Sequence, residues 1–238
     1  MVIQSINPTT HWLVTKIKSL HQELFTSKLE FWDEGYFSTL RPFVKEFYWN
    51  SQASINVFRV KGTQHPDYQG LTWIEFLETG KRMPLNLSLF EQNPDYYLTC
   101  SSKQPTMFYQ GINGGHLYIG GDGNHRTAIA RAYFYIEGRN VLHGVDLKDY
   151  RIDWEMRHVF GLIQEVVALR KLSYIVEPHQ RPIKRIDSGS WMEEKYEVLI
   201  KVKDLNKREE FLLDIKSAYK FLEDIKKAKW RRFLSFSI

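Results

Sequence analysis

Residues 119–130 read Ile-Gly-Gly-Asp-Gly-Asn-His-Arg-Thr-Ala-Ile-Ala, and they join an apolar run to a helix-forming run. Three glycines within four positions let the backbone turn tightly and leave its N–H groups open to a ligand. The start of a helix adds unpaired N–H groups and the positive end of the helix dipole, which favour an anion. The stretch therefore predicts a phosphate site at a strand-to-helix junction.

The side chains of this stretch are suited to phosphate chemistry. The candidate phosphate-binding or nucleotide-binding residues are Gly121, Gly123, Asn124, His125, Arg126 and Thr127. Arg126 is expected to bind phosphate oxygens in a fork and to stabilise the charge of the transition state. The candidate catalytic residues are Asp122, His125, Arg126 and, as a second carboxylate, Glu91.

Asp122 has more than one possible role. It is the candidate ligand for Mg²⁺, a hard ion that prefers carboxylate and phosphate oxygens. It can instead orient His125, activate a nucleophile or cap the following helix. The other catalytic candidates also have structural alternatives. His125 can be a helix-start residue bonded to the backbone, Arg126 a surface charge, and Glu91 a structural or surface residue.

The segments around the stretch predict a mixed order of helices and strands. Helices are expected at His11–Leu24 with Thr10 as cap, Glu34–Tyr48, Leu71–Leu77, Phe160–Leu172 and from Ser217 onward. Strands are expected at Ile55–Val60, Leu85–Phe90, Met107–Ile112, His116–Ile119, Val141–Val145, Tyr196–Val202 and Glu210–Ile215, with Pro178–Gly189 as an exposed loop. Asn113-Gly114 between two apolar runs is a strong signal for a β-hairpin.

This order predicts an α/β (α+β) fold with a small mixed sheet and surrounding helices. We expect an N-terminal helical extension over residues 1–52, a phosphate-binding core over 53–150, and a basic C-terminal region over 151–238 that packs on the core.

Composition limits the class of protein. The 238 residues are 43% hydrophobic and 26% charged, as in an ordinary globular protein. No run of about 18 apolar residues predicts a membrane span, and the N-terminus does not resemble a signal peptide. The single cysteine, Cys100, excludes an internal disulfide and suits a reducing compartment. We therefore expect a cytoplasmic protein.

The net charge of +5 is concentrated in the last third of the chain. Residues 171–238 contain 16 Lys and Arg against 11 Asp and Glu, which accounts for the whole excess. The candidate nucleic-acid-binding residues are Arg181, Lys184, Arg185, Lys226, Lys227, Lys229, Arg231 and Arg232. This pattern fits contacts with a phosphate backbone, and it fits a solvated basic face equally well.

Asp122-Gly123-Asn124-His125-Arg126, set between an apolar strand and an Ala-rich helix, resembles the loop of the ParB/sulfiredoxin superfamily. In that family a Gly-x-His-Arg type loop at a helix start holds nucleotide phosphates. The resemblance extends roughly over 57–144 and implies a ParB/sulfiredoxin-like core. Sulfiredoxins carry a reactive cysteine where this chain has Asn124, so sulfinic-acid reduction is not expected. Residues 145–238 show no clear helix-turn-helix pair, so a chromosome-partitioning clamp is not expected either.

Three functions follow from the resemblance. The first is metal-assisted hydrolysis of a nucleotide or of a phosphodiester in DNA, as in the ParB-like nuclease branch. The second is phosphate transfer to a small molecule, because free-serine kinases of this fold carry an Asp-Gly-His-His-Arg loop that differs here only at Asn124. The third is a non-catalytic regulatory or inhibitory protein that binds a nucleotide or DNA. The expected ligands are a nucleoside triphosphate and Mg²⁺, and the additions at either end are candidate surfaces for a protein partner.

Overall fold

The computed structural model describes the main chain of residues 6–234 and the side chains of residues 6–227. The chain combines helices with a mixed sheet, so the predicted α+β class is confirmed. It divides into two compact units. The first comprises Met1–Glu34, Tyr48–Tyr150 and Asp187–Met192, and the second comprises Gly35–Phe47, Arg151–Ile186 and Glu193–Ile238.

Helices and strands are interspersed along the chain. The helices are α1 (Trp12–Leu20), α2 (Glu23–Thr26), α3 (Glu34–Leu40), α4 (Trp73–Thr79), α5 (Met83–Gln92), α6 (Asp95–Leu98), α7 (Asn124–Ile136), α8 (Trp154–Leu169) and α9 (Ile215–Leu234). The strands are β1 (Glu30–Phe31), β2 (Val44–Asn56), β3 (Val60–Thr63), β4 (Phe108–Ile112), β5 (Leu117–Ile119), β6 (Val141–Ile152), β7 (Tyr174–Asp187), β8 (Trp191–Asp204) and β9 (Glu209–Leu213). None of the described helices is long and apolar enough to cross a membrane.

The first unit is built on strands in the order β1-β3-β5-β4-β6-β2. β1 runs parallel to β3, β3 to β5 and β4 to β6, whereas β4 and β5 are antiparallel. The predicted hairpin is therefore confirmed. Asn113 and Gly114 both have left-handed φ angles, of 54° and 61°, which is the conformation that an Asn-Gly hairpin turn requires.

Helix α7 lies in the core of the first unit. Ala128, Ile129, Ala130 and Ala132 are almost completely buried, and α7 packs against α1, α4 and α5. Arg131 is also buried, and its guanidinium donates to the carbonyls of Leu24, Val57 and Val60. These bonds join α7 to chain segments that are distant in sequence, so the start of α7 is held in a fixed position.

The sequence placed one strand where the structure has a helix. Leu85–Phe90 was expected to be extended, but it lies inside α5. Met83, Leu87 and Phe90 are buried at helical spacing, and Pro84 occupies the first turn, where a missing N–H costs nothing. A short apolar run cannot distinguish the two periods, which explains the error.

The predicted helix Glu34–Tyr48 is also wrong in its second half. α3 ends at Leu40, a 3-10 turn spans Arg41–Phe43, and the chain then enters β2. Residues 44–49 are rich in aromatic and β-branched side chains, which favour a strand. The expected strand Ile55–Val60 is interrupted by a 3-10 turn at Val57–Arg59.

Near the N-terminus, the expected helix His11–Leu24 is divided into α1 and α2. His21 has a left-handed φ of 47° and ends α1. The cap is His11 rather than Thr10, because its Nδ1 accepts the N–H of Leu13. The helix expected at Leu71–Leu77 is confirmed as α4, which begins with a Thr72–Glu75 capping box.

In the second unit, β8 pairs antiparallel with β9, so the second predicted hairpin is confirmed. The expected helix Phe160–Leu172 is α8, which starts earlier, at an Asp153 cap. Pro178–Gly189 is not a loop, because most of it belongs to β7. β7 is the last strand in the order and lies beside β8, where an edge position tolerates Pro178 and Pro182.

The final helix begins at Ile215, two residues before the predicted cap Ser217. Asp214 accepts the N–H of Ser217 at 2.8 Å and is the residue that caps the helix. The apolar residues Ala218, Phe221, Leu222 and Ile225, which share one helical face, predicted the helix correctly, and only its first turn was misplaced.

Gly144 offers a test of the packing in the first unit. It has a φ of 68°, and a Cβ there would lie 1.9 Å from the carbonyl oxygen of Ser101. Gly138 has a similar φ of 64° but open space around it. We expect Gly138→Ala to lower the free energy of unfolding by about 1 kcal/mol. Gly144→Ala should lower it by about 2 kcal/mol more, because backbone must move. Denaturant unfolding of both variants measures the difference, and equal losses would contradict this packing.

Candidate functional site

The junction between β5 and α7 is a tight, hydrogen-bonded turn. Gly120 donates its N–H to the carbonyl of Phe108 at 2.9 Å, and the carbonyl of Asp122 accepts the N–H of Phe108 at 3.1 Å. Gly123, the N-cap residue, has a φ of 108°. A Cβ at Gly123 would lie 3.1 Å from the Cβ of Met107. Both the backbone angle and the close approach therefore require glycine at this position.

The first turn of α7 is not capped by a side chain. Within the described part of the chain, no group accepts the N–H of Asn124, His125 or Arg126. The N–H of Gly123 is the exception, because it donates to Oδ1 of Asp122 at 2.6 Å. Three successive amides at the positive end of a 13-residue helix are thus available to an anion.

The residues that carry these amides line a cavity of about 320 Å³ in the first unit. The polar residues around it are Arg82, Asn86, Asn93, Gln104, Asp122, Asn124, His125 and Arg126. The apolar and aromatic residues are Leu85, Leu89, Phe90, Tyr96, Tyr97 and Pro105. The cavity therefore has a polar end at the start of α7 and an apolar wall on α5.

Asn124 is held in one orientation at the polar end. Its side-chain oxygen accepts the hydroxyl of Thr63 at 2.6 Å, and that hydroxyl accepts the N–H of His65. Asn124 is only 6% exposed. Its Nδ2 has no acceptor in the described protein, although the residue lines the cavity. Thr63 thus fixes the amide so that the NH₂ group is the unused end.

His125 is a neutral imidazole whose orientation is set by the backbone. Its Nε2 accepts the N–H of Arg82 at 3.1 Å and lies 3.4 Å from the hydroxyl of Tyr68. Burial lowers the pKa of His125 to about 4, and the charge of Arg82 acts in the same direction. Since Nε2 is an acceptor, the proton of the neutral ring is assigned to Nδ1.

Arg126 lines the cavity, but the protein already occupies its guanidinium. One terminal nitrogen donates to the hydroxyl of Tyr96 at 2.8 Å and to the carbonyl of Pro105. The other donates to the carbonyl of Thr106 at 3.2 Å and lies 2.7 Å from Oδ2 of Asp122. The residue is 8% exposed. Its main role in the structure is therefore to hold the segment 104–106 against α7.

Asp122 is the carboxylate of the site. Its side chain is 59% exposed and bridges Arg126 and the N–H of Gly123. It is not the N-cap of α7, because Gly123 occupies that position. No group of three or more metal-ligating side chains occurs among the described residues. A divalent cation here would have to take most of its oxygen ligands from the bound molecule.

Several predicted site residues lie outside the cavity. Thr127 is fully buried and bonds the hydroxyl of Tyr109 and the carbonyl of Gly123. Gly121 and Gly123 shape the turn without lining the cavity. The structure also does not bring Glu91 to the site. Its carboxylate accepts the indole N–H of Trp12 at 2.7 Å and pairs with His11 at 2.8 Å.

Sequence reasoning missed the contribution of α5. Arg82, Leu85 and Leu89 line the cavity, and the two leucines are exposed on the surface of the helix. Because Leu85–Phe90 was predicted as a strand, the sequence signal for this surface was overlooked. Arg82 lies three and seven residues before Leu85 and Leu89, a spacing that places all three on one face of a helix.

Of the five predicted nucleic-acid-binding residues whose side chains are described, three are paired with acids in the second unit. The ion pairs are Arg181–Glu197, Arg185–Glu194 and Lys227–Glu223. Lys184 and Lys226 are exposed, and neither has a carboxylate partner in the described part of the chain. The side chains of Lys229, Arg231 and Arg232 lie outside the described residues. Most of the described cations are therefore engaged locally.

Arg126 provides a test of the turn. Arg126→Ala removes the donor to the carbonyl of Thr106 and to Oδ2 of Asp122, and one of the two donors to the carbonyl of Pro105. We expect it to lower the free energy of unfolding by about 2–4 kcal/mol. Arg139→Ala, at an exposed position after α7, is the matched control and should change stability by less than about 0.5 kcal/mol. Chemical denaturation measures both, and a small effect at Arg126 would refute the structural role.

His125 should remain neutral at physiological pH. Its pKa lies below the ordinary value of 6.5. Between these two pH values the unfolded chain therefore binds a proton at His125 that the folded protein does not bind. Stability should therefore fall as the pH falls from about 6.5 to about 4. Because burial also lowers the pKa of His11, the slope is compared with that of His125→Gln. NMR titration of the ring, assigned by its loss in that variant, should give a pKa near 4; a value near 6.5 would exclude the buried geometry.

Comparison of the chain with protein-family models, with characterised proteins and with solved structures finds no match.

Proposed function

We propose that the cavity at the start of α7 binds the phosphate end of a nucleotide-sized ligand. The three residues whose amides are unpaired, at the positive end of the helix dipole, all line the cavity. The neutral ring of His125 adds a further donor, Nδ1–H, at the same place. Donors of this kind bind phosphate oxygens at the start of a helix.

The observation that carries the proposal is the unused NH₂ group of Asn124. Asn124 is only 6% exposed, yet its Nδ2 is not among the fully buried unpaired side-chain atoms of the described residues, so the NH₂ group is accessible and its donors are unused. Here the hydroxyl of Thr63 holds the oxygen of the amide, and the nitrogen is left facing the cavity. A phosphate oxygen bound to the helix amides would accept from it.

The other end of the cavity suits a planar, partly apolar group. Leu85, Leu89 and Tyr96 give an apolar wall, and the amide side chains of Asn93 and Gln104 stand at its margin. A volume of about 320 Å³ lies at the lower end of the range for small-molecule sites. These features favour a mononucleotide over a nucleic-acid duplex, and they agree with the ParB/sulfiredoxin-like resemblance of the loop.

A second candidate function is metal-assisted hydrolysis of the bound phosphate. It is favoured by Asp122, whose exposed carboxylate lies beside an anion site. A carboxylate repels phosphate unless a cation lies between them, and Mg²⁺ is commonly held by one carboxylate and the phosphates of a ligand. When bound, the ion would supply charge neutralisation to the phosphate. Asp122 would hold it, and Arg126 would hold Asp122.

Calorimetry with ATP, CTP and ADP, each with and without Mg²⁺, tests binding. Asn124→Asp keeps the oxygen that accepts from Thr63 and adds a negative charge where phosphate is expected. We expect at least about tenfold weaker binding, which corresponds to ~1.4 kcal/mol. The added acid should not weaken the helix, because a negative charge is favourable at its start. Asn140→Asp, at an exposed position outside the cavity, should bind as the wild type does.

Two outcomes would contradict the proposal. The first is that the wild type binds none of the three nucleotides, and the second is that Asn124→Asp binds them unchanged. Release of inorganic phosphate in the same samples tests the second function. It should require Mg²⁺ and be lost in Asp122→Asn; release without Mg²⁺ would refute a metal-assisted reaction.

A further inference from the structure

The charge of Arg126 is not available to a ligand in the cavity. Arg126 and Asp122 form an ion pair, so their charges cancel. The low pKa of His125 makes the ring neutral. The one other charged residue that lines the cavity is Arg82. Among the described residues, the net positive charge available to a ligand therefore comes from Arg82, which directly precedes α5, and not from the loop.

Arg82 is free to use its guanidinium. The side chain is exposed, and the described protein offers it no carboxylate and no hydrogen-bond acceptor. In this it differs from Arg126, whose two terminal nitrogens each make two contacts with the protein. An arginine fork binds two phosphate oxygens at once only if its donors are not already occupied.

The backbone of Arg82 is fixed next to the phosphate end. Its N–H donates to Nε2 of His125 at 3.1 Å, and His125 is the second residue of α7. The guanidinium also contributes to the low pKa of His125, which places its charge within electrostatic range of the ring. The position of Arg82 is thus set by the main chain, while its side chain stays able to move onto a ligand.

We propose that Arg82 is the residue that forms the ion pair with the ligand phosphate, which it holds against the amides at the start of α7. This inference rests on the proposed function. It assigns phosphate charge recognition to the first residue before α5 and leaves Arg126 as a positioning residue. This arrangement should bind ligands that carry a phosphate or diphosphate group more tightly than their neutral analogues.

The test uses inorganic pyrophosphate as a probe that has no base. Arg82→Ala should weaken its binding about 10- to 100-fold, as expected for loss of hydrogen bonds to a charged group. Arg82→Lys keeps the charge but not the fork, and should lose less. Lys81→Ala is the matched control, since Lys81 is exposed and adjacent but does not line the cavity. It should change the dissociation constant less than twofold.

Salt provides a second readout. Binding to the wild type should weaken as ionic strength rises, and Arg82→Ala should reduce that dependence because one exposed ion pair is lost. If pyrophosphate or a nucleotide binds the wild type and Arg82→Ala matches Lys81→Ala, the role of Arg82 is refuted and the proposed site stands. If the wild type binds neither pyrophosphate nor any nucleotide, both are refuted.

The ligand-free protein gives a third readout. Removal of the Arg82 charge should raise the pKa of His125, measured by NMR in Arg82→Ala and compared with Lys81→Ala. A purely structural effect on folding would not move this pKa selectively. An unchanged value in Arg82→Ala would place the guanidinium away from the site and overturn the inference.

Discussion

The site depends on one backbone constraint, which is how the chain enters a buried helix. Nearly every residue of α7 is buried or half-buried, so the turn before it must pack tightly against β4. Gly123 fulfils this with a left-handed φ and close contact with Met107. A glycine N-cap has no side chain to accept from the first turn, so the amides of α7 stay unpaired. The feature that packing requires is also the one that leaves these amides available to the anion that we propose as ligand.

The three arginines near this helix show how burial decides the role of one residue type. Arg131 lies in the core, stacks 4.1 Å above the Trp73 ring and donates to backbone carbonyls, and burial lowers its pKa to about 9. Arg126 is buried at the edge of the cavity and joins α7 to the segment 104–106. Of these three guanidinium groups, only that of Arg82 is exposed and has no partner in the described part of the chain. The first two stabilise the scaffold, and the third is the arginine to which we assign charge recognition.

The sequence predicted the parts of this arrangement that depend on neighbours in the chain. The Asn113-Gly114 turn and the glycine-rich junction are local signals, and both lie where they were expected. Apart from Asp122, which is four residues away, the partners of Arg126 lie 20 to 30 residues earlier in the chain, and those of Glu91 belong to the N-terminal segment. No local pattern reveals such contacts. For that reason Arg126 was expected to face a ligand and Glu91 to join the site.

Net charge is a poor guide to recognition in this protein for the same reason. The excess of cations lies in the last third of the chain, yet Arg181, Arg185 and Lys227 are each paired with a glutamate. Exposed pairs of this kind contribute little stability, but each glutamate cancels the charge of its cation locally, so these three cations add little to the attraction of a polyanion. At the cavity, by contrast, one unpaired guanidinium adds to helix amides in a partly enclosed space, where each charge counts for more. A single phosphate-bearing molecule is therefore the partner that the distribution of charge favours.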